Sequence, residues 1–518
     1  MQKKKYEKKC MIDLRVLILM LFGFWTHEIF AQDLNYKVEM QSSLSSHVTP
    51  LWLNANKYGL SSLEKSNGYL LAGVEKKDSL TGNRKTSWGA GLELATTYNY
   101  TSSLVLQQAY VEGRWLHGML TIGAKEYPME LKNSALSSGS QALGINARPV
   151  PQIRIALPEY KRIWKWLYIK GHVAYGMFTD NAWQRKFTDK NSMYCQQVLY
   201  HSKAGYLRFG NPEQPLTVEL GLEMATQFGG RSYATDGTVK RGGHRLKDFW
   251  DVFWCGGGDP GEGKFANAEG NQVGSWVGRI RYDQPSYCIS LYWDHYFEDH
   301  SQMFFVDYDG YGHGSEWNDK KKWKFYLYDF KDIMLGSELN LKKGTWLRDV
   351  VAEYLYTKYQ SGPIYHDHGT LVSYHIAGED DYCNHGIYCS WQHWGQVMGN
   401  PLYRSPIYND NGQIRVQNNR FFAWHLGFDG YLNARMNERG EVQSDNLLSY
   451  RVLTTLQKGW GTYKVPYLPV QNDFSMLLEL NYTFKHGWNV KGALGLDAGG
   501  IYGNNKGFQL SVVQVGIL

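Results

Sequence analysis

The sequence predicts an all-β fold, a transmembrane antiparallel β-barrel, on three observations. Long segments alternate apolar with polar residues, aromatic residues gather at the ends of those segments, and an export leader precedes them. The chain has 518 residues, of which 43% are hydrophobic and 15% aromatic, and its mean hydropathy is −0.47. That composition supports a large core but excludes a bundle of apolar membrane helices, each of which needs about 20 apolar residues in a row.

The leader comes first in the chain. Its apolar run, Val16 to Trp25, follows Lys3, Lys4, Lys5, Lys8, Lys9 and Arg15 and precedes the small residue Ala31. This is the order of a signal peptide, so residues 1–31 are expected to be removed and 32–518 to form the barrel; a retained amphipathic anchor is the alternative. Residue 32 is Gln32, which gives no support for a lipidated mature N-terminus. Cleavage lowers the basic count from 55 to 49 and the acidic count from 49 to 46, leaving a net charge of +3. So balanced a chain offers no electrostatic case for a nucleic-acid partner. Five cysteines remain, Cys195, Cys255, Cys288, Cys383 and Cys389, an odd set with neither a CxxC pair nor a zinc-ribbon spacing. The close pair Cys383 and Cys389 is the candidate disulfide in an oxidising compartment.

The strands follow. In 87–100, Trp88, Ala90, Leu92, Leu94, Thr96, Tyr98 and Tyr100 share one face, while Ser87, Gly89, Gly91, Glu93, Ala95, Thr97 and Asn99 share the other. The same two-residue period divides 216–228 and 474–484. Further segments are expected near 36–46, 67–76, 103–114, 117–126, 166–178, 196–209, 273–283, 286–294, 333–342, 347–359, 419–433, 446–457, 488–498 and 506–518. A soluble sandwich would use strands of about five or six residues, whereas a tilted membrane crossing needs about 9 to 11. Trp88 with Tyr98 and Tyr100, Trp293 with Tyr292, and Trp488 after Phe484 sit where interfacial rings belong. Glu93, Glu219, Glu223, Glu479, Lys170, His172, Lys491 and Asp497 fall on the opposite face and are expected to line the interior. The chain ends inside an alternating segment, as it would if the last strand closed against the first.

Other stretches break the pattern. Thr49-Pro50 before LWLNANKYG is expected to cap a short helix at one barrel end. Residues 128–165 read as an ordered insertion, because Pro149 and Pro151 lack amide donors; Arg148 and Arg154 could clamp neighbouring carbonyls or carboxylates, with direct ligand contact and an ordinary loop as the other readings. In the insertion at 229–272, Phe249, Trp250, Phe253 and Trp254 beside Lys247, Asp248 and Asp251 could stack on sugars and bond their hydroxyls; a small loop core is the other reading. Near 360–418, His366, His368, His375, His385 and His393 lie close to Asp367, Asp380 and Asp381 without a metal-ligand spacing, so no metal is expected. The sequence lacks a GxSxG elbow, a phosphate loop and an HExxH helix, and no carboxylate pair is singled out for glycoside hydrolysis.

The stretch SALSSGSQALGINARPVPQIRI, residues 134–155, with Asn146-Ala147-Arg148-Pro149 followed by Pro151, resembles the Wzi family of outer-membrane capsule-assembly proteins. The resemblance extends over most of 36–518 and points to a Gram-negative bacterium of the Bacteroides group. It implies an 18-stranded barrel with short helical periplasmic plug elements and long extracellular loops. It further implies a non-enzymatic lectin, without cofactor, that holds capsular polysaccharide by many weak contacts. The expected partners are outer-membrane lipid, lipopolysaccharide and surface polysaccharide, and the barrel is expected to be a monomer. A porin or solute transporter with an open lumen is the main alternative, and a barrel enzyme acting on lipid or glycan ranks below it.

Overall fold

The computed structural model describes residues 34–77, 86–189, 192–211, 213–256, 270–298, 332–360, 381–434 and 446–518, with the backbone of a ribbon at Phe305–Asp309 and Lys322–Tyr326. The leader lies outside the described residues.

Eighteen strands form one closed antiparallel sheet. In chain order they are β1 Leu34–Ser45, β2 Ser66–Lys76, β3 Thr86–Tyr98, β4 Leu104–Trp115, β5 Gly118–Ala124 and β6 Gln152–Arg162. The circuit continues with β7 Leu167–Met177, β8 Leu199–Phe209, β9 Leu216–Phe228, β10 Asn271–Asp283, β11 Tyr287–Glu298 and β12 Ile333–Leu341. It ends with β13 Asp349–Tyr356, β14 Phe421–Tyr431, β15 Leu447–Gly461, β16 Pro466–Thr483, β17 Trp488–Gly499 and β18 Asn505–Ile517. Each strand pairs with its sequence neighbours. β1 pairs with both β2 and β18, through Leu34↔Lys76 and Asn35↔Ile517, so no edge is left open.

Alternation decides which way each side chain points. On β1, Val38, Met40 and Leu44 are exposed on the outside, while Glu39, Gln41 and Ser43 are buried inside. The pattern repeats around the wall with Leu70, Leu106, Ile153, Ile155, Leu426, Leu456, Leu494 and Leu510 facing out. Inside, Glu219, Glu223, His172 and Asp497 are buried, and Lys170 and Lys491 pair with Glu130 and Glu479. An apolar outside around a polar inside requires lipid as the outer solvent, which rules out the sandwich. Among the described residues no helix is long and apolar enough to cross a membrane, so the strands make the crossing.

The two barrel ends differ. One carries the chain termini and mostly short turns, with exposed Trp88, Trp115, Trp164, Trp166, Trp346 and Trp488 forming an aromatic rim. From the other leave the long connections that follow β1, β5, β7, β9, β11 and β13. Outer-membrane barrels keep short turns on the periplasmic side and long loops outside, which orients this one. Helices α1 Leu51–Asn54, α2 Asn181–Thr188 and α3 Leu246–Trp254 all lie in long connections. The resemblance implied short helical plug elements on the periplasmic side; the described helices lie instead in connections at the opposite, outer end.

Four local expectations are corrected. Residues 152–162, expected within the insertion, form β6, because Ile153 and Ile155 point out while Arg154 and Ala156 turn in. Tyr292 and Tyr100 are not girdle residues: Tyr292 is buried and donates to Glu353 Oε1 at 2.6 Å, and Tyr100 meets Tyr69 edge to face. Thr49 does not cap α1, since its hydroxyl donates to Glu64 O; the Asp497 carboxylate accepts from Leu51 N at 3.0 Å instead. Cys383 and Cys389 form no bridge. Cys389 Sγ lies 3.5 Å from Cys195 Sγ, while Cys383 lies by Tyr296.

Candidate functional site

The lumen is filled at mid-height by two connections that enter from the outer end. Segment 125–151 is rich in Ser, Gly and Pro, so its backbone forms neither helix nor strand and takes its hydrogen bonds from wherever it lies. It crosses the barrel. Glu130 accepts from Lys170 of β7 at 2.7 Å, Lys132 reaches Asp294 of β11 at 2.7 Å, and Asn133 donates to Glu338 of β12 at 3.1 Å. Ser137 Oγ and Ser138 N donate to the Glu353 carboxylate of β13 at 2.5 and 2.8 Å. Farther round, His425 Nε2 of β14 lies 2.8 Å from Leu136 O, and Arg451 of β15 donates to Ala135 O at 3.0 Å.

The Lys132–Asp294 pair is almost wholly buried, at 1% and 0% side-chain exposure. Burial pulls the Lys132 ammonium down, but the Asp294 and Glu223 carboxylates more than offset this and hold it above its ordinary range. Breaking such a pair by removing one partner costs roughly 3–5 kcal/mol.

The second filling runs through 381–419 and brings an apolar core into the lumen. Trp391, Val397, Leu402 and Tyr403 are fully buried there, packed with Trp52 of α1 and with Phe421 and Ala423 of β14. The two fillings are stitched together: Trp391 Nε1 donates to Ala142 O at 3.1 Å, Gly144 N to Met398 O at 2.9 Å, and Asn400 Nδ2 to Gly139 O at 2.8 Å. Gly399 lies so close to Gln141 O that a Cβ there would sit 1.9 Å from it. The sequence gives no periodic signal for 381–419, and only its buried aromatics hint at a core.

The motif residues lie where the two fillings meet. Asn146 accepts from Asn56 N at 3.1 Å and donates to Val397 O at 3.0 Å. Arg148 donates to Thr101 Oγ1 at 2.6 Å, stacks over Trp394 at 4.4 Å, and gives its carbonyl to His393 Nδ1 at 2.9 Å. Burial lowers the Arg148 guanidinium to about 10, which leaves it a cation at neutral pH. Ala147 and Pro149 line the adjoining cavity, and Pro151 O accepts from Met177 N at 3.2 Å. Arg154, on β6, stacks over Tyr127 at 3.9 Å rather than joining Arg148.

The aromatic set at 249–254 is far from this cluster, because α3 lies on the outside of the wall. Asp248 accepts from Arg245 N at 2.7 Å and so caps the helix N-terminus. Phe249 and Phe253 turn to the barrel: Phe249 packs on Tyr175 and Phe228, and Phe253 faces His201. Tyr175 OH donates to Phe249 O at 2.9 Å, and Lys203 Nζ donates to Phe253 O. Lys203 is an outward residue of β8, and a bare lysine at the bilayer midplane costs roughly 2–4 kcal/mol. Trp250 and Trp254 keep exposed rings, and Asp251 lies half-buried beside them.

At the outer end, Asp381, Asn384, His385, Arg415 and Lys464 surround an open cavity of about 300 Å³, with Ser192 and Met193 on its other side. Arg415 pairs with Asp381 there. Arg415 and Lys464 were not singled out by sequence, since isolated cations carry no spacing signal. His393 is buried at Thr179 and Arg148 O, and desolvation holds its imidazole below the usual range. His366, His368, His375, Asp367 and Asp380 lie outside the described residues. Among the described residues no group of three or more His, Cys, Asp or Glu side chains could hold a metal ion.

No protein-family model matches the sequence, and no curated protein does. Among solved structures, the chain is similar to Wzi, an outer-membrane protein involved in group 1 capsule assembly in Escherichia coli and described as a carbohydrate-binding β-barrel. The two are 13% identical, the match covers 93% of this chain and 84% of that one, and the TM-score is 0.52. It is also similar to Pseudomonas aeruginosa OprD, at 10% identity, 94% and 95% coverage and a TM-score of 0.41. Acinetobacter baumannii OccAB4 matches at 9% identity, 95% and 100% coverage and a TM-score of 0.41. The likeness to Wzi is one of fold. The chain is an outer-membrane β-barrel distantly resembling it.

Proposed function

We propose that this barrel is a non-catalytic, lectin-like protein that holds surface polysaccharide, capsular polysaccharide first among the candidates, in the manner of the Wzi family. One observation carries the reading: the lumen is crossed by loops bonded to opposite walls, from Lys170 to Glu353 and Arg451, and these loops leave a polar cavity on the outer face. Arg415 and Lys464, around the outer cavity, are the groups assigned to sugar hydroxyls and carboxylates. Many such weak contacts along a polymer would outlast any one of them. In this reading Arg148 and Asn146 are clamps that keep the floor of that surface in place. Residues 1–31 direct export and are removed, and the mature barrel acts as a monomer in lipid and lipopolysaccharide.

The second reading is a diffusion channel or solute transporter. It is favoured by a cavity of about 100 Å³ between segment 125–151 and the wall, lined by Lys125, Arg148, Arg154, Glu130 and Glu223. Withdrawal of the segment would turn that cavity into a charged passage.

Immobilised full-length protein, offered polysaccharide extracted from its own cells, distinguishes the two. Retention that falls in an Arg415→Ala/Lys464→Ala variant supports the lectin. Absence of retention, together with uptake of small solutes by vesicles containing the protein, would favour the channel.

A further inference from the structure

After β9 the chain carries α3 on the outer surface of the wall, and the sequence of the helix divides into three faces at helical spacing. Phe249 and Phe253 meet the barrel, and Val252 between them is fully buried. Lys247, Asp248 and Asp251 form a polar side. Leu246, Trp250 and Trp254, at i, i+4 and i+8, form an apolar stripe that is 90%, 63% and 64% exposed. A soluble loop would gain nothing by holding that stripe out to water.

The wall beneath explains the position of the helix. Tyr175 and Lys203 are outward residues whose polar ends donate to the carbonyls of Phe249 and Phe253. Cys255, just after the helix, packs with Met224 and Phe297, outward residues of β9 and β11 that are both buried. On the neighbouring strand β6, Ile153 pairs with Tyr175 and Ile155 with Val173, and both isoleucines are bare. The helix therefore flanks the apolar band of the barrel, on its outer side, at the end of the long connections.

We propose that α3 is an interfacial helix whose Leu246–Trp250–Trp254 stripe is covered by acyl chains of the outer leaflet. Three surroundings match its three faces: the barrel wall, the lipid and the water above it. Continuity with the bare wall at Ile153 and Ile155 selects lipid as the occupant, and tryptophan suits a site where hydrocarbon gives way to headgroups. The helix thus covers Lys203 and extends the lipid-facing surface of the barrel. This inference does not depend on the polysaccharide reading.

The test uses the full chain in phosphatidylethanolamine/phosphatidylglycerol vesicles containing a phospholipid with a nitroxide on its acyl chain. Trp250→Cys, Trp254→Cys and Lys247→Cys are each labelled with an environment-sensitive fluorophore; all three positions are exposed, and retained folding is read from heat-modifiable gel mobility. The expected result is loss of fluorescence to the lipid nitroxide at 250 and 254, and loss to aqueous iodide at 247. Iodide quenching at 250 and 254 with no nitroxide effect would overturn the proposal. So would protection of those two labels by added polysaccharide in place of lipid, which would return the aromatics to glycan contact.

Discussion

Segment 125–151 and the stretch 245–256 belong to connections that leave the same rim of the barrel, and they turn in opposite directions. The first enters the lumen, where Asp294, Glu338 and Glu353 present carboxylates that need donors, and it supplies Lys132, Asn133, Ser137 and Ser138. The second folds back over the outside, where Tyr175 and Lys203 present donors that need acceptors, and it supplies the carbonyls of Phe249 and Phe253. The lesson is that the wall residues select the loop. A polar, proline-broken segment satisfies buried carboxylates, and an amphipathic helix shields an outward lysine.

The contrast breaks most clearly at the buried ion pair. Lys132→Met should leave Asp294 uncompensated and weaken docking of the lumenal segment by roughly 3–5 kcal/mol. Limited proteolysis should then cut within 128–150, and the double variant Lys132→Met/Asp294→Leu should recover most of the protection. On the outside, replacing α3 with a Gly/Ser linker should destabilise the barrel through the bared Lys203, by less than the roughly 2–4 kcal/mol that a lysine costs at the bilayer midplane. Adding Lys203→Leu should restore the thermal midpoint if that lysine is the reason the helix is there.

Arg148→Ala removes a bond to Thr101 and a stack on Trp394, a loss of about 1–3 kcal/mol. It should speed cleavage near 128–150 without touching the outer helix. A smaller effect is expected with pH. Burial raises the Glu126 carboxyl to about 7, although Gln107 donates to it at 2.5 Å. Because its folded pKa lies above the unfolded value, its stabilising contribution is full below about 4.5 and is lost as pH rises towards 7. Protease protection of the lumenal segment should decline across that window, and Glu126→Gln should flatten the decline. The smallest perturbation uses Cys195 and Cys389, which lie 3.5 Å apart. Diamide should join them, as read by peptide mapping, while Cys383 stays out of the bridge.

Strand existence was the most legible part of this molecule. Every barrel strand except β6 overlaps an alternating segment, because a wall between lipid and a polar interior imposes a period of two. β6 was hidden by Pro149 and Pro151 just before it and by Glu159, Lys161 and Arg162 at its end, where alternation gives way to charge. The direction of the loops was not legible. Phe249 and Trp250 are neighbours of like composition, yet one packs on the wall and the other points away, a distinction set by the register of α3 against β7 and β8. The partners of the motif at 146–151, Asn56, Thr101, Trp394 and Val397, were not legible either, because they are scattered through the sequence.

The central claim is that the barrel is closed by its own outer connections. Single-channel conductance of the purified protein in planar lipid bilayers tests it most directly. The wild type should carry no steady open current, and Lys132→Met should begin to conduct. A steady open-channel current from the wild type, unchanged in that variant, would contradict the account.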